Sequence, residues 1–241
     1  MAATVHVWTI PLDEAPETVP SLLEVLSGEE RVRAARLRTT ELRLRFVVAH
    51  GALRGILSGY LGVKPAALKF ECTEAGKPFL PGAPVSFNLS HSDGLALCAV
   101  TTGGQVGVDI ERLRRLDDAD AIVKRYFAPG EVRQYAAVRL PERTAAFFST
   151  WTRKEAFVKA VGSGIHRALS SFEVEVSPHA VCPRLALDAG EPQGSWSLRS
   201  FAPRPQYVAA VALDRDIEAL EFFDWSAEAL AADAPHRFAI R

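Results

Sequence analysis

Cysteine is scarce in this 241-residue sequence, and its three cysteines stand far apart. Cys72, Cys98 and Cys182 form no CxxC pair, so neither a disulfide framework nor a cysteine-based zinc site is expected. Long apolar runs are also missing, since no stretch approaches the roughly 18 uninterrupted apolar residues of a transmembrane helix. The first residues lack the charged leader and the apolar segment of a signal peptide. We therefore expect a soluble, cytoplasmic protein that does not enter membranes.

The net charge is also small, at −1, which argues against a surface built throughout for nucleic acid or anionic membranes. Neither glycine-rich phosphate-binding motif, GxxxxGK[ST] or GxGxxG, occurs, so any nucleotide must be held by scattered side chains. Among the basic residues, lysine is rare, with 6 lysines against 22 arginines. The planar, permanently charged guanidinium group suits phosphate, although a coding bias is the simpler explanation for most of the skew.

Two long amphipathic segments organise the chain. Residues 41–61 and 142–161 place apolar residues at helical intervals, and two apolar strand-like runs follow each of them. This repeated order predicts an α+β protein with two similar lobes in a pseudo-twofold arrangement, each a long helix packed on a small, mainly antiparallel sheet. The strand-like runs span 85–91, 94–101, 195–201 and 207–213.

The two lobes are expected to meet at Gly103-Gly104, a predicted tight turn before a strand over 105–110. An N-terminal lobe would then span 1–104 and a C-terminal lobe 105–241. After residue 214 the second lobe is predicted to add a strand, a short helix and a tail. We expect a monomer, because the duplication places two similar lobes in one chain, and the second lobe takes the place of a partner subunit.

The first chemical signal is the acidic run VGVDIE, which begins at Val106. On a strand, Asp109 and Glu111 point to one face, while Val108 and Ile110 point to the core. Two neighbouring carboxylates repel one another unless a cation lies between them. Solvated surface carboxylates are the simpler interpretation of this motif taken alone.

The second signal is the run WTRKEAFVK, which begins at Trp151. On a helix, Trp151, Glu155 and Lys159 form a single stripe. One interpretation is an i,i+4 salt bridge at the edge of the core, which contributes only about 0.3–0.5 kcal/mol. The other interpretation is that Glu155 joins Asp109 and Glu111 as oxygen ligands of a metal ion, and that Lys159 binds a phosphate beside the metal. Three carboxylates without nearby His or Cys suit Mg²⁺, which keeps waters and substrate phosphates as ligands.

Candidate phosphate ligands precede both acidic motifs. Residues 31–54 carry seven arginines, of which Arg45 and Arg54 stand within the amphipathic helix, where at least one can turn toward a cleft. The turn GKPF, at 76–79, presents a cation on a stiff backbone. The run FNLSHS, at 87–92, ends a strand with three hydrogen-bonding side chains. A hydrolase triad suits this cluster poorly because no GxSxG elbow occurs, and phosphate oxygens suit it better.

In this order and at these separations, GKPFL, FNLSHSD, GVDIE and WTRKEAFVKA resemble the signature of the phosphopantetheinyl transferases. The resemblance covers residues 30–165 well and is weak outside them. The length and the apparent duplication resemble the monomeric, two-lobed, surfactin-synthetase-activating type. The resemblance implies transfer of the 4′-phosphopantetheine arm of coenzyme A to a serine hydroxyl of an apo acyl or peptidyl carrier protein. It also implies Mg²⁺ as cofactor and release of 3′,5′-ADP.

The resemblance further implies roles for single residues. Asp109, Glu111 and Glu155 match metal-binding acids, and Glu155 is also the candidate base for the carrier serine. Lys159 matches the lysine that contacts the diphosphate and protonates or stabilises the leaving phosphate. Asp109 and Lys159 therefore count among both the catalytic and the coenzyme A-binding residues. The resemblance implies further contacts with coenzyme A. Arg45 and His91 match residues on the 3′-phosphate, with help from Arg33 and Arg36. Gly76, Lys77 and Pro78 match the loop at the adenine, and Asn88 and Ser90 match residues along the diphosphate.

Segment 112–135 is the expected docking region for the carrier, because relatives dock carriers hereabouts. Two residues of this segment, Phe127 and Glu131, match family positions that look structural. Outside the segment, Asp93 stands where relatives often carry glycine. Acidic carrier helices would suit a group of basic residues in this segment through electrostatic steering. These residues are Arg112, Arg114, Arg115 and Arg125.

Two other functions stay open. Another Mg²⁺-dependent phosphotransferase or a nuclease is one, because acids plus arginines serve any phosphodiester. A nuclease would need a basic groove with interleaved aromatic residues, which the charge balance does not favour, and no nucleic-acid partner is expected. The other is a non-catalytic protein that binds coenzyme A or a carrier. The intact acidic trio and Lys159 count against it, because a pure binder needs no metal ligands.

Overall fold

The computed structural model describes residues 2–13, 18–162, 168–187 and 194–227. The helices of this part of the chain are α1 (Val19–Val25), α2 (Gly28–Ala35), α3 (Thr40–Leu61), α4 (Ala119–Tyr126), α5 (Pro129–Ala137) and α6 (Arg143–Val161). The strands are β1 (Ala3–Pro11), β2 (Glu71–Cys72), β3 (Pro78–Phe79), β4 (Ser86–Ser92), β5 (Leu95–Thr101), β6 (Val106–Arg112), β7 (Phe172–Val174), β8 (Leu185–Leu187), β9 (Ser197–Phe201), β10 (Tyr207–Leu213) and β11 (Ile217–Asp224).

The strands form two larger sheets and two small ladders. The first sheet has the order β11-β1-β5-β4, and the second has the order β6-β10-β9. Strands β1 and β11 pair in parallel, whereas the other pairs in these sheets are antiparallel. The ladders β2–β3 and β7–β8 are also antiparallel. This combination of helices with mainly antiparallel sheets confirms the predicted α+β class.

Each larger sheet carries one of the two long helices. On the first sheet, Ala52 and Ile56 of α3 share a core with Trp8 and Phe87. On the second, Phe157 of α6 lies in a core with residues of β9 and β10. A third core joins the two sheets face to face, through β1, β5, β6, β10 and β11. None of the helices in the described part of the chain combines the length and apolar character needed to cross a lipid bilayer.

Local sequence signals explain where the long helices begin and end. The Thr39 hydroxyl accepts a hydrogen bond from the Leu42 N–H at 3.2 Å, which caps the first turn of α3. Gly62 and Gly162 follow the two helices in the left-handed conformation, with φ of 65° and 72°, which glycine adopts without strain. The predicted helices over 41–61 and 142–161 are confirmed.

The predicted strands are present. The strands near the two chain ends pair in a way that the sequence did not predict. Strand β1 was not predicted, and β11, the predicted strand after residue 214, pairs with it in the first sheet. A strand assigned by sequence to the second lobe thus forms the edge of the first sheet. The short helix and tail predicted at the C-terminus lie in residues 228–241, outside the described residues.

A completely buried ion pair fixes the segment between the two acidic motifs. Glu131 Oε1 lies 2.7 Å from Lys154 Nζ, and both side chains are fully buried. Glu131 also accepts hydrogen bonds from two backbone N–H groups, and Lys154 donates one to Phe172 O. Phe127 is buried nearby in the same region of the core. Removing one partner of such a pair would cost about 3–5 kcal/mol, so Glu131 has a structural role.

Candidate active site

Strand β6 and helix α6 touch at a glycine. A Cβ atom on Gly107 would lie 2.1 Å from Ala156 O and 2.4 Å from Ala160 N, so only a residue without a side chain permits the contact. Side chains alternate along the strand, which places Asp109 and Glu111 on the α6 side with Gly107. The residues between them lie in the core that joins the two sheets.

Helix α6 opens to solvent along one stripe. Trp151, Glu155 and Lys159 are half-exposed, whereas the other residues from 146 to 160 are buried. All three line a cleft with a volume of about 750 Å³. The stripe predicted from the four-residue spacing is therefore the wall of a cavity.

Lys159 reaches from α6 to β6 and β4. Its Nζ lies 2.6 Å from Asp109 Oδ1 and donates a hydrogen bond to Ser90 Oγ at 2.9 Å. Ser90 Oγ in turn donates to Asp109 Oδ1 at 2.8 Å. In the described part of the chain, Lys159 pairs with Asp109 and not with Glu155, so the alternative of an i,i+4 salt bridge does not describe this helix.

The other oxygen of Asp109 has no such support. Asp109 Oδ2 is buried and has no hydrogen-bond partner among the described residues. Burial raises the pKa of Asp109, although Lys159 and Ser90 oppose the rise. Burial, together with the negative charge of Asp109, also raises the pKa of Glu155. A cation placed between these carboxylates would relieve both effects.

The carboxylates do not form a ready-made metal cage. Within the described residues, no three His, Cys, Asp or Glu side chains converge as a metal-binding group. Mg²⁺ needs no such cage, because it is commonly held by one or two carboxylates together with waters and substrate phosphates. The buried, unpartnered Oδ2 of Asp109 and the neighbouring Glu111 and Glu155 are oxygen donors of the type that this ion prefers. The residues therefore fit Mg²⁺, and the ligand set stays a prediction.

Side chains of β4 hold the acidic strand in place across the gap between the two sheets. Asn88 Oδ1 accepts a hydrogen bond from the Val108 N–H at 2.9 Å. Ser92 Oγ donates to Glu111 Oε2 at 2.9 Å, and Ser90 supports Asp109 as described above. Three alternate residues of one strand thus position both acids. Sequence reasoning missed Ser92 in this role, although its two-residue spacing from Ser90 was the available signal.

The hydrolase alternative has no support in this geometry. Both serines of the Ser-His-Ser run point toward the acids of β6, whereas His91 between them points to the opposite side of the strand. Neither serine hydroxyl contacts His91 among the described residues, so no nucleophile–base pair is formed.

The cleft brings together most of the residues predicted to bind coenzyme A. Part of its wall is formed by the loop that contains Gly76, Lys77 and Pro78, and Asn88 also lines the cleft. Ser90 and Asp109 connect to it through Lys159. Sequence reasoning did not place Arg125 and Tyr126 here; they form a further part of the wall, with Tyr126 edge-on to Trp151.

Arg45 and His91 are not among the residues that line this cleft. Arg45 lies 2.8 Å from Asp13 and 2.7 Å from Glu41 through its guanidinium nitrogens. His91 is exposed, and desolvation by the surrounding chain together with the charge of Lys159 lowers its pKa. The predicted contact of these residues with a 3′-phosphate stays a prediction.

The other arginine singled out in the same helix has a structural role. Arg54 is buried, lies 2.8 Å from Glu30 and donates hydrogen bonds to Pro65 O and Leu68 O at 3.0 Å. It therefore faces the protein interior and anchors α2 and the turn after α3, and it is not among the residues that line the cleft.

Comparisons with known proteins agree on one family. The profile of the 4′-phosphopantetheinyl transferase superfamily matches residues 105–212. The chain is 39% identical over 213 residues to the 4′-phosphopantetheinyl transferase HetI of Nostoc sp., and the match covers 87% of each chain. It is 31% identical over 191 residues to a 4′-phosphopantetheinyl transferase of Bacillus subtilis, covering 79% of this chain and 83% of the relative. It is 26% identical over 190 residues to Sfp of the same species, covering 78% and 82%. With its two acidic motifs joined by the Asp109–Lys159 ion pair and such identity over most of its length, the chain belongs to the 4′-phosphopantetheinyl transferase superfamily.

Proposed function

We propose that this protein transfers the 4′-phosphopantetheine group of coenzyme A to a serine hydroxyl of an apo acyl or peptidyl carrier protein. The observation that carries the proposal is the Asp109–Lys159 pair at the edge of the cleft. It combines a cation for phosphate with a buried carboxylate whose second oxygen has no partner among the described residues. Membership of the family supplies the reaction class.

Asp109, Glu111 and Glu155 would hold Mg²⁺ in this proposal. When bound, the ion would neutralise negative charge on the diphosphate of coenzyme A. The chain prepares these acids in different ways. Asp109 is held by Ser90 and Lys159, and Glu111 by Ser92, whereas Glu155 stands on the wall of the cleft.

Glu155 would accept the proton of the carrier serine, directly or through one water. The serine oxygen forms a bond to the β-phosphorus of coenzyme A as the bond from that phosphorus to 3′,5′-ADP breaks. Lys159 stabilises the negative charge on the departing phosphate. Phosphoryl transfer needs little covalent participation by the enzyme, so positioning and charge neutralisation supply most of the rate.

Coenzyme A would lie with its adenine at Gly76–Pro78 and its diphosphate at Asn88, Ser90 and Lys159. Arg45 and His91 would meet the 3′-phosphate at the outer edge of the first lobe. Arg45 already pairs with Asp13 and Glu41, so the phosphate must compete with two carboxylates there. Exposed Arg33 of α2, and Arg36 just after that helix, would add positive charge near this end.

The carrier would approach beside Arg125 and Tyr126, because their part of the wall lies next to Glu155 and Trp151. Both residues are exposed on α4, so an acidic helix can reach them. Arg114 is less suited to docking, because it donates a hydrogen bond to Glu111 at 3.1 Å. Arg115 pairs with Asp117 in full exposure to solvent.

We also propose that the protein works as a cytoplasmic monomer of two lobes, divided near Gly103-Gly104, without a nucleic-acid or membrane partner. The helix–sheet–sheet–helix order supports two lobes in a pseudo-twofold arrangement. Strand β11 is the exception to the division by sequence, since it crosses to the first sheet.

The decisive experiment is intact mass spectrometry of an apo acyl or peptidyl carrier protein incubated with the enzyme, coenzyme A and Mg²⁺. We expect a mass gain of one phosphopantetheine that EDTA and a Ser→Ala change in the carrier both abolish. A mass gain that persists in excess EDTA would contradict the role of Mg²⁺. No gain across several carriers despite coenzyme A binding would point to a non-catalytic binder.

A further inference from the structure

The loop that forms the adenine side of the cleft belongs to a very small hairpin. Its two strands pair only Glu71 with Phe79 and Cys72 with Pro78. Within the turn, the Gly76 N–H donates to Thr73 O at 2.8 Å, with Gly76 in a positive-φ conformation of 84°. An isolated two-stranded hairpin is at best marginally stable in water, so its position must be fixed by contacts elsewhere.

Lys77 provides such a contact. Its ammonium donates hydrogen bonds to Ala160 O at 2.9 Å and to Val106 O at 3.1 Å, and it lies 3.3 Å from Gln105 Oε1. Its aliphatic stem passes Gly162, where a Cβ atom would lie 3.2 Å from Lys77 Cδ. The ammonium therefore points into the junction of β6 and α6, and its known partners are all oxygens of the protein.

The Ala160 carbonyl oxygen, which accepts a hydrogen bond from Lys77, is well suited to a cation. Ala160 belongs to the last turn of α6, whose carbonyl groups have no donors within the helix. The helix dipole also concentrates negative charge at this end. Burial lowers the pKa of Lys77 to about 8, opposed by the charge of Asp214, which agrees with an ammonium enclosed by the protein.

We propose that Lys77 is a positioning residue that ties the Gly76–Pro78 loop to the C-terminal end of α6. The residue next to Ala160 is Lys159, and Glu155 lies one turn earlier, so the clamp sets the distance between the two walls of the cleft. The inference rests on the proposed use of this cleft for coenzyme A. It differs from the expectation that the Lys77 ammonium itself contacts the nucleotide.

The first test uses the protein without any ligand. Hydrogen exchange is compared for wild type, Lys77→Met, Lys77→Arg and the exposed control Lys69→Met. We expect the Thr73, Gly76 and Lys77 amides to exchange faster in Lys77→Met, with protection restored in Lys77→Arg and unchanged in Lys69→Met. Unchanged exchange in folded Lys77→Met would overturn the clamp, whatever the protein binds.

The second test compares binding of coenzyme A, dephospho-coenzyme A and 3′,5′-ADP, together with turnover. Loss of the clamp should weaken all three by a similar factor, on the order of tenfold for a charged hydrogen-bonded group. The KM for coenzyme A should rise while kcat stays within about twofold, and Lys77→Arg should recover most of the loss. A loss confined to ligands with one particular phosphate would instead identify Lys77 as a direct phosphate ligand and overturn the proposal. If wild type binds none of the ligands, the proposed function fails while the exchange test still decides on the clamp.

Discussion

The Lys159 ammonium lies 2.6 Å from Asp109 Oδ1, while Asp109 Oδ2 has no hydrogen-bond partner among the described residues. The two oxygens of one buried carboxylate therefore have opposite environments. One is neutralised by Lys159 of α6, and the other has no such partner in the described part of the chain. In the proposed reaction that arrangement connects the metal-binding strand to the phosphate-binding lysine, so the two motifs act as one unit.

Replacing Glu155 with Gln should lower turnover by at least about 10²-fold, because an amide cannot accept the proton of the carrier serine. The rate is measured as the appearance of holo-carrier by mass spectrometry at saturating coenzyme A. Glu142→Gln, at the other end of the same helix, is the matched control and should retain turnover. Near-normal turnover in folded Glu155→Gln would exclude this residue as both base and metal ligand.

Local signals in the sequence predicted the two long helices well. Thr39 and the glycines after each helix fix the ends, and the apolar periodicity fixes the buried faces. Strand β1 and its parallel pairing with β11 could not be predicted in this way. The paired residues, such as Ala3 and Ile217, lie at opposite ends of the chain, and no local pattern specifies such a partner.

In the site, too, features set by neighbouring residues could be predicted, whereas contacts between residues far apart in the sequence could not. The stripe through Trp151, Glu155 and Lys159 follows from helical spacing alone. The choice of Asp109 as the partner of Lys159 depends on how closely β6 approaches α6, which Gly107 decides through packing. The direction of a long side chain is harder still to predict, because the sequence alone does not indicate that the Lys77 ammonium turns toward Ala160 O.

A methyl group at Gly107 should separate β6 from α6. In Gly107→Ala the new Cβ would lie 2.1 Å from Ala156 O, a backbone atom that cannot move without shifting the helix. We expect a loss of stability of about 1–3 kcal/mol or more, as in other overpacked interiors, together with loss of activity. Chemical denaturation and the carrier assay measure the two effects.

Gly28→Ala is the control for this substitution, because a Cβ there would meet nothing within 4 Å. Unimpaired stability of both variants would show that the strand and helix are not held in direct contact. Wild-type activity in a destabilised Gly107→Ala protein would show that the contact does not set the geometry of Asp109 and Lys159.

Glu30 should make stability depend on pH in the acid range. Burial alone would raise its pKa, but hydrogen bonds from His50, the Ser27 N–H and Arg54 outweigh burial and lower the pKa to about 2. The folded-state pKa lies below the usual 4.5, so the contribution is complete above that pH and is lost as the pH falls toward 2. We expect Glu30→Gln to lose about 2–3 kcal/mol near neutral pH, and progressively less in acid.

Urea denaturation of wild type and Glu30→Gln, from pH 7 down to the lowest pH at which both are folded, measures this difference. Glu29→Gln removes an exposed carboxylate one residue earlier and should show no such pH-dependent difference from wild type. A difference between wild type and Glu30→Gln that is constant over the whole range would mean that ionisation of Glu30 does not contribute.

Charge reversal at Arg125 should weaken recognition of the carrier without disturbing the chemistry. Arg125 is exposed on α4 and lies on the wall of the cleft near Glu155, where an acidic carrier helix would meet its positive charge. We expect Arg125→Glu to raise the KM for the carrier on the order of tenfold at low salt, with kcat and the KM for coenzyme A little changed. The increase should shrink as salt is added, because screening weakens steering between exposed charges. Arg184→Glu, the same reversal at another exposed arginine, should leave the KM for the carrier unchanged. An equal effect of both reversals would indicate a general response to net charge, and no effect of either would place the carrier on a different surface.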